Sequence, residues 1–229
     1  MLITIGGKAG SGKGTTAKLL ADELHYTTIS IGDMKRQLAE EMGLSIYEFN
    51  ILWDQPENAK EFDLKYEEYQ KNLSLQEKII LDSRLGFYCQ PQAFKILLDV
   101  DETVAAHRIL GAKRDSEHSK TPEEALKEVK ERNLSDHARY QRLYNIDVRN
   151  YKHYSLVVDT STRTPEEVLE IILEEFRQRK LKKGISDTPA EKKAISKAKH
   201  KKSLLKNILL LLALIVIAGF RIITTLLSR

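Results

Sequence analysis

The densest chemistry in the chain lies in Gly7-Lys8-Ala9-Gly10-Ser11-Gly12-Lys13-Gly14-Thr15. Glycines at this spacing let backbone N–H groups converge on phosphate oxygens, and Lys13 is placed to reach the terminal phosphates of a nucleotide. A dinucleotide-binding turn would need a third glycine where Thr15 stands, and it would give Lys13 no role. A merely flexible glycine turn would account for neither the lysine nor the ordered segments expected on both sides. Gly14 stands where the general motif puts a Ser or Thr hydroxyl on Mg2+. A metal is therefore expected to be held by nucleotide oxygens, waters and a distant carboxylate.

Scattered charged residues could complete a phosphate-handling set. Arg36, in Ser30-Ile31-Gly32-Asp33-Met34-Lys35-Arg36, could clamp a second phosphate as a bidentate fork. Asp82-Ser83-Arg84 follows an apolar run, where Asp82 suits a water-mediated Mg2+ contact and Arg84 a phosphate. Arg132, Asp136 and Arg139 recur at i, i+4 and i+7. A carboxylate between two arginines would hold them while they neutralise charge on a transferring phosphoryl group. Arg108, in a positive cluster with Lys113 and Arg114, either lies over the nucleotide or complements a helix C-terminus. Asp63 and Lys65 fall in an acidic helical stretch that reads better as a solvated face than as a contact to a base. The six His residues have no metal-ligand spacing, and Tyr140, Tyr144, Tyr151 and Tyr154 read as packing.

These groups need a scaffold, and the apolar pattern predicts one. Apolar runs at Leu2 to Ile5, Thr27 to Ile31, Lys78 to Leu81, Phe94 to Val100 and Ser155 to Asp159 read as short strands buried on both faces. Helical stretches lie between them. Ala17, Leu20, Ala21 and Leu24 share one helical face directly after the glycine loop, so the positive end of that helix points at the phosphates. Ser45-x-x-Glu48, Thr121-Pro122-Glu123-Glu124 and Thr164-Pro165-Glu166-Glu167 are helix starts, each with a capping hydroxyl and a Glu three residues on. Strands alternating with helices predict an α/β fold with a parallel sheet of five strands flanked by helices.

Charge is distributed unevenly. Residues 1–176 carry 23 Lys and Arg against 31 Asp and Glu, whereas residues 177–206 carry 12 against 2. An acidic body with a basic tail argues against a broad nucleic-acid-binding face. The single Cys89 excludes an intrachain disulfide and reads as a small core residue. No signal peptide is recognisable before the first apolar run, so the body is expected in the cytosol.

Taken together, the glycine loop ending Gly12-Lys13-Gly14-Thr15, Ser30-x-Gly32-Asp33-Met34-x-Arg36, the arginine after the third strand and an arginine-rich lid resemble the nucleoside monophosphate kinases. The nearest resemblance is to the archaeal-type cytidylate kinases. It rests on Gly43-Leu44-Ser45-Ile46-Tyr47-Glu48-Phe49-Asn50, Leu81-Asp82-Ser83-Arg84-Leu85, Arg139-Tyr140 with Tyr144-Asn145-Ile146-Asp147, and Val157-Val158-Asp159-Thr160-Ser161. Adenylate kinases usually carry Asp-Gly-Phe-Pro-Arg after strand three, which is absent. Lys8-Ala9, Ser83 and Lys65-Tyr66 depart from the family pattern. The resemblance implies a P-loop NTPase fold and transfer of the ATP γ-phosphoryl group to CMP or dCMP. Gly7 to Thr15 and Arg108 would then hold ATP, and Asp33, Arg36, Asp63 and Arg84 the acceptor. Lys13, Arg132 and Arg139 would be catalytic, Asp33 and Asp82 would order Mg2+ through water, and a lid would close over both nucleotides. An adenylate or other small-acceptor kinase stays open as an alternative, as does a membrane-bound nucleotide-dependent switch ATPase.

Beyond the body at 1–176, the sequence predicts a polybasic linker at 177–206 and a membrane anchor at 207–229. Residues 208–227 make 20 positions interrupted by one charge, Arg221, about one hydrocarbon thickness as a helix. The preceding basic run suits the cytoplasmic side and anionic lipid.

Overall fold

The computed structural model describes residues 1–74, 77–111 and 121–182. The expected linker beyond residue 182 and the expected transmembrane helix at 207–229 lie outside the described residues. Among the described residues, no helix is long and apolar enough to cross a membrane.

Each predicted run forms a strand: β1 Ile3–Gly7, β2 Thr27–Ser30, β3 Ile79–Asp82, β4 Phe94–Asp99 and β5 Leu156–Asp159. Among the described residues they build one parallel sheet in the order β2-β3-β1-β4-β5. The connecting helices are α1 Lys13–Leu24, α2 Ile31–Glu41, α3 Ile46–Asp54, α4 Pro56–Lys71, α5 Gly86–Cys89, α6 Glu102–Gly111, α7 Pro122–Tyr144 and α8 Pro165–Lys182. The chain builds β2 and β3 on one side of β1, then crosses to build β4 and β5 on the other. Such a reversal leaves a crevice outside the carboxyl ends of the strands, where ligands of this architecture bind.

Burial on both faces explains why the strands read as unbroken apolar runs. Ile3, Ile5, Ile80, Ile96 and Leu98 pack against Leu20 of α1 and Ile172 and Phe176 of α8. Leu2, Ile79 and Leu81 form a second cluster with Leu73 and Ala93. Two further cores lie away from the sheet. Leu38, Phe49, Trp53 and Phe62 join α2, α3 and α4, and Ala105, Ala106, Ala125 and Val129 join α6 to α7.

The predicted caps are present. Ser45 and Thr121 form reciprocal capping boxes with Glu48 and Glu124, and Thr164 does the same with Glu167. The boundary expected at Phe176 falls inside α8. Arg179 pairs with Glu175 at 2.7 Å and donates to the Ser155 carbonyl oxygen at 3.2 Å, which keeps the start of the basic stretch helical and docked. Cys89 is buried as expected, and burial followed by the charge of Glu67 pushes its thiol up to about 12.

Candidate active site

The register of the sheet brings the phosphate loop and the acidic strand ends together. Ile5 and Ser30 both pair with Asp82, and Gly7 pairs with Leu98. Gly7 has φ +147°, and a Cβ there would lie 2.3 Å from the Leu98 carbonyl oxygen, so the loop can leave the sheet only through glycine. At Gly10, with φ +73°, a Cβ would lie within 2.8 Å of the Ala105 backbone, which lets α6 pack directly on the loop. Gly12 caps α1 without a side chain, so no hydroxyl competes for the first-turn N–H groups. Lys13 Nζ bridges the loop, donating to the carbonyl oxygens of Gly7 at 3.0 Å and Lys8 at 2.8 Å.

Two residues at the start of the loop make contacts within the protein. Lys8 turns away to pair with Asp99 at 2.9 Å, and Tyr151 donates to the same carboxylate. The reason is the register, which sets the end of β4 beside the start of the loop. The Ala9 N–H donates to Asn133 Oδ1 at 3.3 Å, tying the loop to α7. Arg108 lines the cleft, gripped by Thr160: its Nη1 donates to the hydroxyl at 3.1 Å and its Nη2 to the carbonyl oxygen at 2.6 Å. Sequence reasoning gave Thr160 no part in this.

Asp82, at the tip of β3, faces the loop. Its Oδ2 lies 3.7 Å from where a Gly14 Cβ would stand and 3.5 Å from the Ser30 hydroxyl. Burial raises its pKa, opposed by Lys13 and reinforced by Asp33. Among the described residues, no three His, Cys, Asp or Glu side chains converge on a metal position. Asp82 beside the loop therefore fits a single indirect contact to a nucleotide-borne cation. Asp33 also lines the cleft, where its exposed carboxylate pairs with Arg36 across one turn of α2.

Across the cleft, cations gather from α2, the turn after β3, and α7. The Ser83 N–H donates to the Ile5 carbonyl oxygen at 3.1 Å, and the Ser83 hydroxyl accepts from Leu85 N at 3.2 Å, which fixes the turn presenting Arg84. Asp136 pairs with Arg84 and, at 2.7 Å, with Arg139. The stripe on α7 thus reaches across to the β3 turn, where the sequence offered only partners on its own helix. Arg139 is buried and also pairs with Asp63 at 3.3 Å, and Trp53 Nε1 donates to Asp63 at 3.2 Å. The solvated face expected for Asp63 is overturned: it is 7% exposed, turned inward by the packing of Phe62 and Tyr66 on Trp53. It pairs with Arg139 and lines the cleft. Burial, then repulsion by Arg132 and Arg139, pushes the Arg84 guanidinium down to about 9, so it stays charged at neutral pH.

Lys13, Arg36, Arg84, Arg132 and Arg139 line one cleft of about 1070 Å3, together with Asp33, Asp63 and Asp82. One wall offers backbone donors and a lysine to a polyphosphate, and the other offers guanidinium groups to a second anion. Sequence reasoning missed Lys35 and Trp53, which also line it. The available signal was a lysine beside Arg36 in the same motif.

Residues 2–162 match the cytidylate kinase-like family. The chain is 38% identical over 194 residues to a cytidylate kinase of Halobacterium salinarum, across 83% of this chain and 97% of that protein. It is 36% identical over 178 residues to an S-adenosylmethionine-dependent nucleotide dehydratase of Lacinutrix mariniflava, across 77% of this chain but only 36% of that longer protein. Shikimate kinase from Bacteroides thetaiotaomicron has a similar fold, with a TM-score of 0.53 at 14% identity over 77% of this chain and 98% of that one. By the family match and the full-length likeness to an archaeal relative, this chain belongs to the cytidylate kinase-like family.

Proposed function

We propose that the protein transfers the γ-phosphoryl group of ATP to the 5′-phosphate of CMP or dCMP. The observation that carries this reading is the opposition, in one cleft, of the phosphate loop and the guanidinium set Arg36, Arg84, Arg132 and Arg139. An acceptor phosphate oxygen attacks the γ-phosphorus, the bond to the β,γ-bridging oxygen breaks, and ADP and a nucleoside diphosphate leave.

The protein's share is positioning and charge neutralisation. Lys13 and the N–H groups from Gly10 to Thr15 hold the β- and γ-phosphates. Arg36 and Arg84 seat the acceptor phosphate, and Arg132 and Arg139 meet charge on the group in flight. Mg2+ bound with ATP would neutralise phosphate oxygens, with Asp82 as its protein contact through water. ADP release measured over CMP, dCMP, AMP and GMP tests the reading: the two cytidylates should exceed the purines by at least tenfold in kcat/KM. Slow ADP release indifferent to acceptor would overturn it in favour of a nucleotide switch.

We also propose that residues 208–227 anchor the enzyme in a membrane with the kinase domain on the cytoplasmic side. The support lies in the sequence: 16 Leu, Ile, Val and Phe residues between Leu204 and Leu227 outweigh Arg221, which sits near one end, and the basic run precedes them. After a carbonate wash the full-length protein should remain in the membrane pellet. Release into the supernatant would exclude a spanning helix.

A further inference from the structure

Lys35 is a cation of the cleft to which the phosphate chemistry above gives no task. It precedes Arg36 on α2 and reaches Trp53 of α3. Its Nζ lies 3.4 Å from the centroid of the Trp53 ring. That seat is rigid: Trp53 is 1% exposed, stacks on Phe62 at 4.8 Å, and is fixed through Nε1 by the buried Asp63. Among the described residues, Lys35 Nζ makes no hydrogen bond or ion pair, so its N–H groups not aimed at the ring are available at the cleft wall.

The surroundings say what those donors face. Burial, then repulsion by Arg139, Arg132 and Arg84 against the attraction of Asp63, sets the Lys35 pKa well below that of an ordinary lysine. An electron-rich atom beside the ammonium would relieve that. The nearby wall also carries Asn50, Trp53, Tyr66 and Gln70, aromatic and amide surfaces that suit a planar ring.

We infer that Lys35 reads the base of the acceptor, its ammonium donating to a ring carbonyl oxygen of a pyrimidine held against the α3–α4 wall. The inference rests on the kinase reading above and adds a specificity determinant to it. A cytosine or uracil ring presents such an oxygen, whereas the amino group of adenine would set donor against donor.

The test compares two ligands that share a phosphate. Affinities of full-length wild type and Lys35→Met for CMP and for ribose 5-phosphate are measured by calorimetry, with ATP affinity as the check that the cleft is folded. Lys35→Met should weaken CMP roughly tenfold or more, and ribose 5-phosphate less than about twofold. Lys35→Arg should recover part of the loss. Equal losses for both ligands would make Lys35 a phosphate ligand and overturn the inference, as would an unchanged CMP affinity. A wild type without acceptor-stimulated ADP release would instead fail the kinase reading, and the inference with it.

Discussion

One side of the cleft offers backbone N–H groups from Gly10 to Thr15 and one lysine, all at the junction of β1 and α1. The other side offers side chains from α2, the turn after β3, and α7, with carboxylates from α4 and α7 holding Arg84 and Arg139. The first arrangement is rigid because the chain has no alternative path: Gly7 and Gly10 press against Leu98 and Ala105. The second is rigid only while a connected series, Trp53 to Asp63 to Arg139 to Asp136 to Arg84, stays intact. A backbone site needs little from the rest of the sequence, whereas a side-chain site needs several distant residues at once.

The largest effect should come from breaking the backbone side at its one essential side chain. Lys13→Ala should lower kcat roughly 100-fold or more, the scale of losing one preorganised charge contact. Its circular dichroism spectrum and its CMP affinity should be unchanged; unchanged turnover would sink the phosphate-loop assignment.

The side-chain half should instead lose structure along with rate. Asp63→Asn removes the charge facing buried Arg139, and breaking a buried ion pair costs about 3 kcal/mol. Urea unfolding should register that loss, with kcat reduced more than KM is raised. A variant as stable as wild type would mean that Asp136 alone positions Arg139.

Acid sharpens the comparison at the rear of the loop. Burial raises the Asp99 pKa, but hydrogen bonds from Tyr151, Lys8 and Val100 outweigh it, so the folded value lies below the ordinary one. The resulting stability is fully present above the unfolded carboxylate's pKa, roughly 3.9, and is lost as pH falls through the folded value. Asp99→Asn should therefore lower the melting temperature at neutral pH and converge with wild type as pH falls through the folded value.

The smallest effect concerns a helix start. Thr121→Ala removes a hydroxyl that accepts from Glu124 N at 3.2 Å and should cost about 1 kcal/mol without changing kcat. A larger loss of activity would mean that the position of α7 depends on its cap.

The same contrast explains what was legible in the sequence. The phosphate loop, its strand and its helix are contiguous, so spacing alone located them. The strands announced themselves by burial on both faces, and the capping boxes by residues three apart. Asp63 was misread because helical spacing reports neighbours on one helix, and its partners Trp53 and Arg139 come from two others. Asp136 was placed correctly beside Arg139, yet its bond to Arg84 crosses between elements that nothing in local sequence connects. Lys35 escaped notice for the same reason, since an aromatic seat supplied by α3 cannot be read from α2.

One feature of that seat can be used directly at the bench. The chain contains a single tryptophan, and it is Trp53, buried beneath Lys35 and bonded to Asp63 at the cleft wall. Its intrinsic emission comes from that one location, and indole fluorescence responds to a nearby charge. Nucleotide titrations read at this wavelength should report occupancy of the acceptor pocket without a label, and stopped-flow traces should time its filling separately from that of the ATP site.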